Sequence, residues 1–259
     1  MAIDLHNHTK LCNHAVGEIE EYIQTAIDTK TSIFGFSDHA PMTFDEGYRM
    51  TFNEMKKYEQ DILEMKSKYA AKIDIKLGYE VDFLAEHIDK RVIEADVDYL
   101  IGSVHFLNKW GFDNPEFIGE YQNRNLDELW SEYFLAIKNL ADSKLFDIVG
   151  HFDLLKIFNF LPNKDLVDLA SPALEAIKKS GMALEINSAG LRKKINEQYP
   201  SIPLLQEVKK LEIPITFGSD AHAPSQVGQN RNRITQLARE LGFEDVAVFE
   251  KRRMTMIKF

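Results

Sequence analysis

Cysteine is nearly absent: Cys12 stands alone in 259 residues, which excludes an internal disulfide and any zinc module built on several cysteines. A reducing compartment is the expected setting. No run of about 18 apolar residues occurs, so no membrane-spanning helix is expected. The first residues pass straight into Ala2-Ile3-Asp4-Leu5-His6, without the basic and long apolar regions of a secretory leader. We therefore read the protein as cytoplasmic, with no membrane partner. Basic charge is also short, since 31 Lys and Arg against 41 Asp and Glu leave a net charge of -10. Surfaces that hold polyanions usually carry the opposite sign, so no nucleic-acid partner is expected. A small anionic substrate stays admissible because bound metals reverse the field locally. Low-complexity linkers and breaks in composition are missing too, which favours a single domain over residues 1–259.

What is present is an ordinary globular composition, 44% hydrophobic and 28% charged, long enough to bury a full core. It opens on Asp4-Leu5-His6-Asn7-His8. Side chains two apart on an extended strand point the same way, so His6 and His8 present their imidazoles to one place. The pattern then repeats. A helix over about Glu18–Thr29 precedes the apolar run Ile33-Phe34-Gly35-Phe36-Ser37, which delivers Asp38-His39. A helix over about Asn53–Ala70 precedes Ile73–Tyr79 and Glu80. A helix over about Ala85–Ala95 precedes Tyr99–Val104 and His105. Residues 106–122 read as a loop, and Asn125 caps a helix with Glu128 three residues on.

Phe146–Gly150 delivers His151, Met182–Ile186 ends at Asn187-Ser188, and Ile213–Phe217 ends at Gly218-Ser219-Asp220-Ala221-His222, with helices over about Leu166–Lys179 and Ile202–Leu211 between them. A last helix spans about Val227–Leu241. Val246–Phe249 follows, then a basic run, Lys251-Arg252-Arg253, which reads as a solvated face. Seven alternating β/α units argue for a parallel barrel, whose chemistry sits at the C-terminal ends of its strands.

His6, His8, His39, Glu80, His105, His151, Asp220 and His222 all fall at such ends, with His14 just beyond the first. Only His87 of the eight histidines lies elsewhere. Any one of them alone is more often structural; the set together predicts a metal site. Nine donors exceed what one ion accepts, so two or three divalent ions are expected, a carboxylate bridging at least two. Imidazole-rich sites with few carboxylates suit zinc, manganese or iron better than magnesium or calcium. Asp4 and Asp38 are placed to orient imidazoles from behind, or else to be satisfied by backbone. Cys12 reads as a packed thiol, and Glu185 and Asn187 are left open between packing and function.

In order and over essentially the whole chain, these residues resemble the PHP (polymerase and histidinol phosphatase) superfamily of trinuclear metal phosphoesterases. His8–Ala15, Gly78-Tyr79-Glu80-Val81-Asp82, Gly102–Phe106 with Trp110–Asp113, and Ser188–Lys193 are similar to the monofunctional histidinol-phosphate phosphatases of histidine biosynthesis. The resemblance implies a distorted (β/α)7 TIM-like barrel. It implies one metal at His6, His8, Glu80 and Asp220, a second at Glu80, His105 and His151, and a third at His14, His39 and His222. It implies Arg192 as a phosphate-binding residue, with Lys156 as the cation available after the fifth strand.

Phosphate monoesters need acceleration of up to about 10²¹-fold, and a general acid or base supplies only roughly 10² to 10⁴. The expected reaction is therefore attack on L-histidinol phosphate by a hydroxide bridging two metals. Asp220 would handle its proton, Arg192 would bind phosphoryl oxygens, and Asp220 or, less suitably, His222 would protonate the leaving group. Trp110 and Asp113 would take the imidazole and ammonium of the substrate. Alternatives are a related phosphoesterase acting on nucleotides or other small phosphate monoesters, a non-catalytic metal-binding domain, and a metal hydrolase of C–N bonds. The expected assembly is a monomer or small homo-oligomer.

Overall fold

The computed structural model describes residues 1–259. In chain order its elements are β1 (Ile3–Asp4), α1 (Ile19–Asp28), β2 (Ile33–His39), α2 (Met55–Tyr69), β3 (Asp74–Asp82), α3 (Lys90–Ile93) and β4 (Tyr99–Ser103). A small hairpin, β5 (Phe106–Leu107) and β6 (Trp110–Gly111), leads to α4 (Leu126–Ser143), β7 (Ile148–Val149), α5 (Leu166–Ser180), β8 (Ala183–Asn187), α6 (Ile202–Lys210), β9 (Ile215–Gly218) and α7 (Arg231–Glu240). A closing hairpin pairs β10 (Asp245–Glu250) with β11 (Arg253–Lys258).

Seven strands form one sheet in the order β1-β2-β3-β4-β7-β8-β9, and every pairing in it is parallel. Right-handed crossovers through helices bend such a sheet round on itself. Here its two edges meet: Leu5 N–H donates to the Phe217 carbonyl at 2.8 Å, Asp220 N–H to His6 at 2.7 Å and His8 N–H to Ala221 at 3.0 Å. The result is the distorted seven-stranded TIM-like barrel. Its strands are buried almost end to end, which is why they read as apolar runs rather than alternating patterns. No helix is long and apolar enough to cross a membrane.

Four local expectations are corrected. The helix expected over Ala85–Ala95 is a three-residue turn, Ala85–His87, and the short α3, because Ile88 is extended and the Asp89 carboxylate caps a new start by accepting from Arg91 N–H. Residues 106–122 are not an open loop; they hold the β5–β6 hairpin and most of a 3₁₀ segment over Pro115–Asn123. The last helix begins at Arg231 rather than near Val227, since Gly228 and Asn230 take left-handed φ values of 66° and 60°. Finally, the basic run is a solvated face at Lys251 and Arg253 but not at Arg252. Lys251 and Arg252 form the β10–β11 turn with φ of 48° and 61°, and the Arg252 guanidinium folds inward onto the Asp147 carboxylate and the Leu145 carbonyl.

Candidate metal centre

Glu80 is the hub. It ends up buried, 1% exposed, at the top of β3. Its Oε2 lies 3.3 Å from His6 Nε2, 3.1 Å from His39 Nδ1 and 3.7 Å from His8 Nε2. Its Oε1 lies 2.8 Å from His151 Nε2 and 3.7 Å from His105 Nε2, and accepts from Ser103 Oγ at 2.7 Å. One carboxylate oxygen thus faces each of two imidazole sets, the arrangement expected of a bridging ligand. Burial alone would raise its pKa, but His6, His39 and His105 more than offset that and hold it well below the usual carboxylate range.

Donor atoms gather in four groups, each within 4.8 Å: His6, His8 and Glu80; Glu80, His105 and His151; His14, His39 and His222; and His8, Cys12 and His222. Asp220 joins the first, its Oδ1 3.2 Å from His8 Nε2, and it sits in the left-handed region at φ 52°. Three carboxylates stand behind the imidazoles. Glu185 accepts from His6 Nδ1 at 2.8 Å, Asp82 from His105 Nδ1 at 2.7 Å, and Asp38 from His8 Nδ1 at 3.3 Å. Each contact fixes the proton on Nδ1 and leaves Nε2 for an inner partner. Yet His6 Nε2, His8 Nε2 and His39 Nδ1 have no hydrogen-bond partner despite burial. Unsatisfied buried nitrogens are rare, and three converging on one carboxylate fit divalent cations.

The electrostatics agree with that fit. Burial pushes His8 and His105 down, but the carboxylates prevail: Asp220 and Asp38 raise His8 to about 9, and Asp82 and Glu80 raise His105 to about 10. His39 and His222, with burial dominant, are held well below the ordinary value. Asp220, although buried, is held well below the carboxylate range by His6, His8 and His222.

The centre floors a cavity of about 570 Å³, whose lining includes Arg192, Asp113, Tyr199 and Lys193. Arg192 Nη2 donates to the carbonyls of Ser219 and Asp220 at 2.8 and 2.9 Å, while its buried Nη1 has no partner. Other expected contacts fall elsewhere. Lys156 is 1% exposed and its ammonium is taken up by Asp153 at 2.9 Å, Glu197 at 2.6 Å and the Gln198 carbonyl at 2.8 Å. It does not border the cavity. Trp110 lies behind the wall, packed on Tyr121 and under the Arg124 guanidinium. Asp4 touches no imidazole; its carboxylate accepts from Ser219 N–H at 2.8 Å and Ser219 Oγ at 2.6 Å. Cys12 approaches His8 and His222, but its thiol donates to the Thr9 carbonyl and burial pushes its pKa up, so it stays protonated.

Sequence reading missed Asp82, Arg49 and Tyr199. Asp82 had a signal: it is two residues beyond Glu80 and shares its face of β3. Arg49, whose Nη1 pairs with Asp82 at 2.8 Å, comes from the segment after β2 and had none. Glu185 is explained by Gly218. A Cβ there would lie 1.9 Å from Glu185 Oε1, so glycine on β9 opens the path from β8 to His6.

Comparison with known proteins agrees with this architecture. The PHP domain model matches residues 4–189 and the PHP-associated model residues 205–246. A probable histidinol-phosphatase of Deinococcus radiodurans is 39% identical over 256 residues, 97% of each chain. The histidinol-phosphatase of Bacillus subtilis is 29% identical over 87% of this chain and 95% of its own. Among solved structures, histidinol phosphate phosphatase from Lactococcus lactis, complexed with zinc, L-histidinol and phosphate, shares the fold at a TM-score of 0.80 and 24% identity, over 98% of both chains. A family model covering most of the residues, a near full-length relative and a common barrel lead to one conclusion: this chain belongs to the PHP domain family.

Proposed function

We propose that the protein is a metal-dependent phosphomonoesterase that hydrolyses L-histidinol phosphate to L-histidinol and inorganic phosphate, a step of histidine biosynthesis. The carrying observation is the nine-residue donor set of His6, His8, His14, His39, Glu80, His105, His151, Asp220 and His222 around Glu80 in an open cavity bordered by Arg192. The curated names of the Deinococcus and Bacillus relatives support the substrate, and the bound molecules of the Lactococcus enzyme support both zinc and histidinol phosphate chemistry. The first metal would be held by His6, His8, Glu80 and Asp220, the second by Glu80, His105 and His151, and the third by His14, His39 and His222. Bound there, divalent ions lower the pKa of water toward about 7 and neutralise charge on a phosphoryl group.

The chain's own residues do the rest. Arg192 Nη1 points its free donors at a phosphoryl oxygen. Asp220, kept ionised, takes the proton of the attacking water; once protonated, it is placed to return it to the departing alkoxide. His222 Nδ1 lies 3.2 Å from the Asp220 carbonyl oxygen and 3.4 Å from Oδ1, which keeps the imidazole beside that carboxylate. Asp113 borders the cavity beside the centre and supplies an acceptor for the substrate's ammonium. Residues 1–259 act as one catalytic domain, because the PHP-associated region contributes β9 to the sheet and Asp220 and His222 to the centre.

The test is phosphate release by metal-replete protein, comparing kcat/KM for L-histidinol phosphate, p-nitrophenyl phosphate and nucleoside monophosphates. A preference of several orders of magnitude for histidinol phosphate is expected. Equal turnover of nucleotides would discard the substrate and keep the metal chemistry.

A further inference from the structure

One donor at the cavity is left over. Tyr22, Tyr58, Tyr99 and Tyr121 are buried tyrosines whose hydroxyls donate to carbonyls, of Val16, Gly78, Leu5 and Phe112 respectively. The Tyr133 hydroxyl accepts from Leu154 N–H. Tyr199 differs: it is 1% exposed and its hydroxyl has no partner. Its placement is firm. Asn187, at the end of β8, exchanges two backbone hydrogen bonds with it, at 2.7 and 3.0 Å. A Cβ at Gly190 would come within 3.0 Å of Cε2 and Cζ, so glycine lets the ring lie flat against that turn. Under the ring, the Lys156 ammonium stands 5.3 Å from the centroid.

Tyr199 shares the cavity wall with Arg192, whose Nη1 is, outside the histidines of the centre, the other buried donor there without a partner. Burial, with Asp153 and Asp220 nearby, pushes the phenol above its ordinary range, so the hydroxyl keeps its proton. Two unpartnered donors bordering one cavity call for a ligand group made only of acceptors, and a phosphoryl group is such a group.

We infer that the Tyr199 hydroxyl contacts the substrate directly, donating a hydrogen bond to a phosphoryl oxygen alongside Arg192 Nη1. This rests on the phosphomonoesterase reading. It supplies the second phosphate contact that Lys156 does not make; Lys156 instead acts as a positioning residue beneath the ring.

The test compares wild type and Tyr199→Phe, both metal-replete, by calorimetric titration with inorganic phosphate, metal content, thermal melting without phosphate, and kcat/KM. The expected result is phosphate affinity weakened about 10- to 100-fold, the range for a hydrogen bond to a charged group, with kcat/KM reduced by a similar factor. Metal content should be unchanged, and Tm unchanged or higher, because the deleted hydroxyl has no partner to lose. Equal phosphate affinity at equal metal content would overturn the contact. So would a lower Tm with metal loss in parallel, which would assign the hydroxyl to the fold. Wild type that binds phosphate through Tyr199 yet hydrolyses no monoester would overturn the phosphatase reading alone.

Discussion

At the scale of single residues, charge in the sequence says little about where that charge is used. Lys156 and Arg192 are both cations placed just after strand ends, yet one is spent inside the protein and the other faces the cavity. What separates them is a partner that sequence proximity does not reveal, Glu197, 41 residues from Lys156. Lys156→Met should therefore cost stability, about 3–5 kcal/mol, because it strands the buried Asp153 carboxylate without its counter-charge. Urea unfolding at fixed metal content measures this; a stable variant that had lost phosphate affinity would return Lys156 to the phosphate. Asp220→Asn tests the proton-handling role. A fall in kcat of about 10²- to 10⁴-fold with the metal complement retained is expected, and near wild-type turnover would remove the role. The clustering of the histidines was legible because apolar runs pointed at them. The carboxylates behind them were less so, since Glu185 needs the space left by Gly218, which is a fact of three dimensions.

At the scale of elements, the strands were read well and the connections poorly. A fully buried strand is a continuous apolar run, a signal local to it. The break inside residues 85–95 depends on which of two local hydrogen-bond patterns wins, and Asp89 decides it by capping. The β10–β11 hairpin was half seen: Val246–Phe249 reads as a strand, but its partner, Arg253–Lys258, is largely exposed, its alternating Met254 and Met256 included. Arg252 fastens this hairpin to the barrel through Asp147 and the Leu145 carbonyl. Arg252→Ala should lower stability by about 1.5–3 kcal/mol, the worth of hydrogen bonds to a charged group, and leave kcat/KM unaltered, since the hairpin lies away from the cavity lining. By contrast, Gly218→Ala should act on the centre. Its added Cβ displaces Glu185 from His6, and metal affinity should fall about 10- to 100-fold or more in a chelator competition. Unchanged affinity would mean that Glu185 does not set the His6 imidazole.

For the whole molecule, the metal centre couples stability to pH. His8 at about 9 and His105 at about 10 lie above the ordinary histidine value of about 6.5. Raised folded-state values mean that protonation stabilises the metal-free fold fully below about 6.5, and that this contribution drains away as pH climbs through 9 and 10. His39 and His222 have the opposite sign: held low by burial, they contribute stability above about 6.5 that is lost as pH falls. Metal-stripped protein should thus lose stability between about pH 6.5 and 10, while metal-replete protein should not, because cations take the place of the protons. Melting with and without chelator across that range should show a widening gap in Tm; a constant gap would uncouple these histidines from metal. Alternation of seven units made the barrel legible, but its closure was visible only in the folded chain.

That closing seam also sets a timetable. Asp4 and Ser219 touch although they lie 215 residues apart, and the backbone bonds that join β1 to β9 also bring His6 and His8 beside Asp220 and His222. While the chain emerges from a ribosome at about 5–20 residues per second, the opening His-x-His pair waits, uncommitted, until Asp220 and His222 have appeared. The site built on it comes late, since no nascent chain that ends before Asp220 can present His6, His8, Glu80 and Asp220 together.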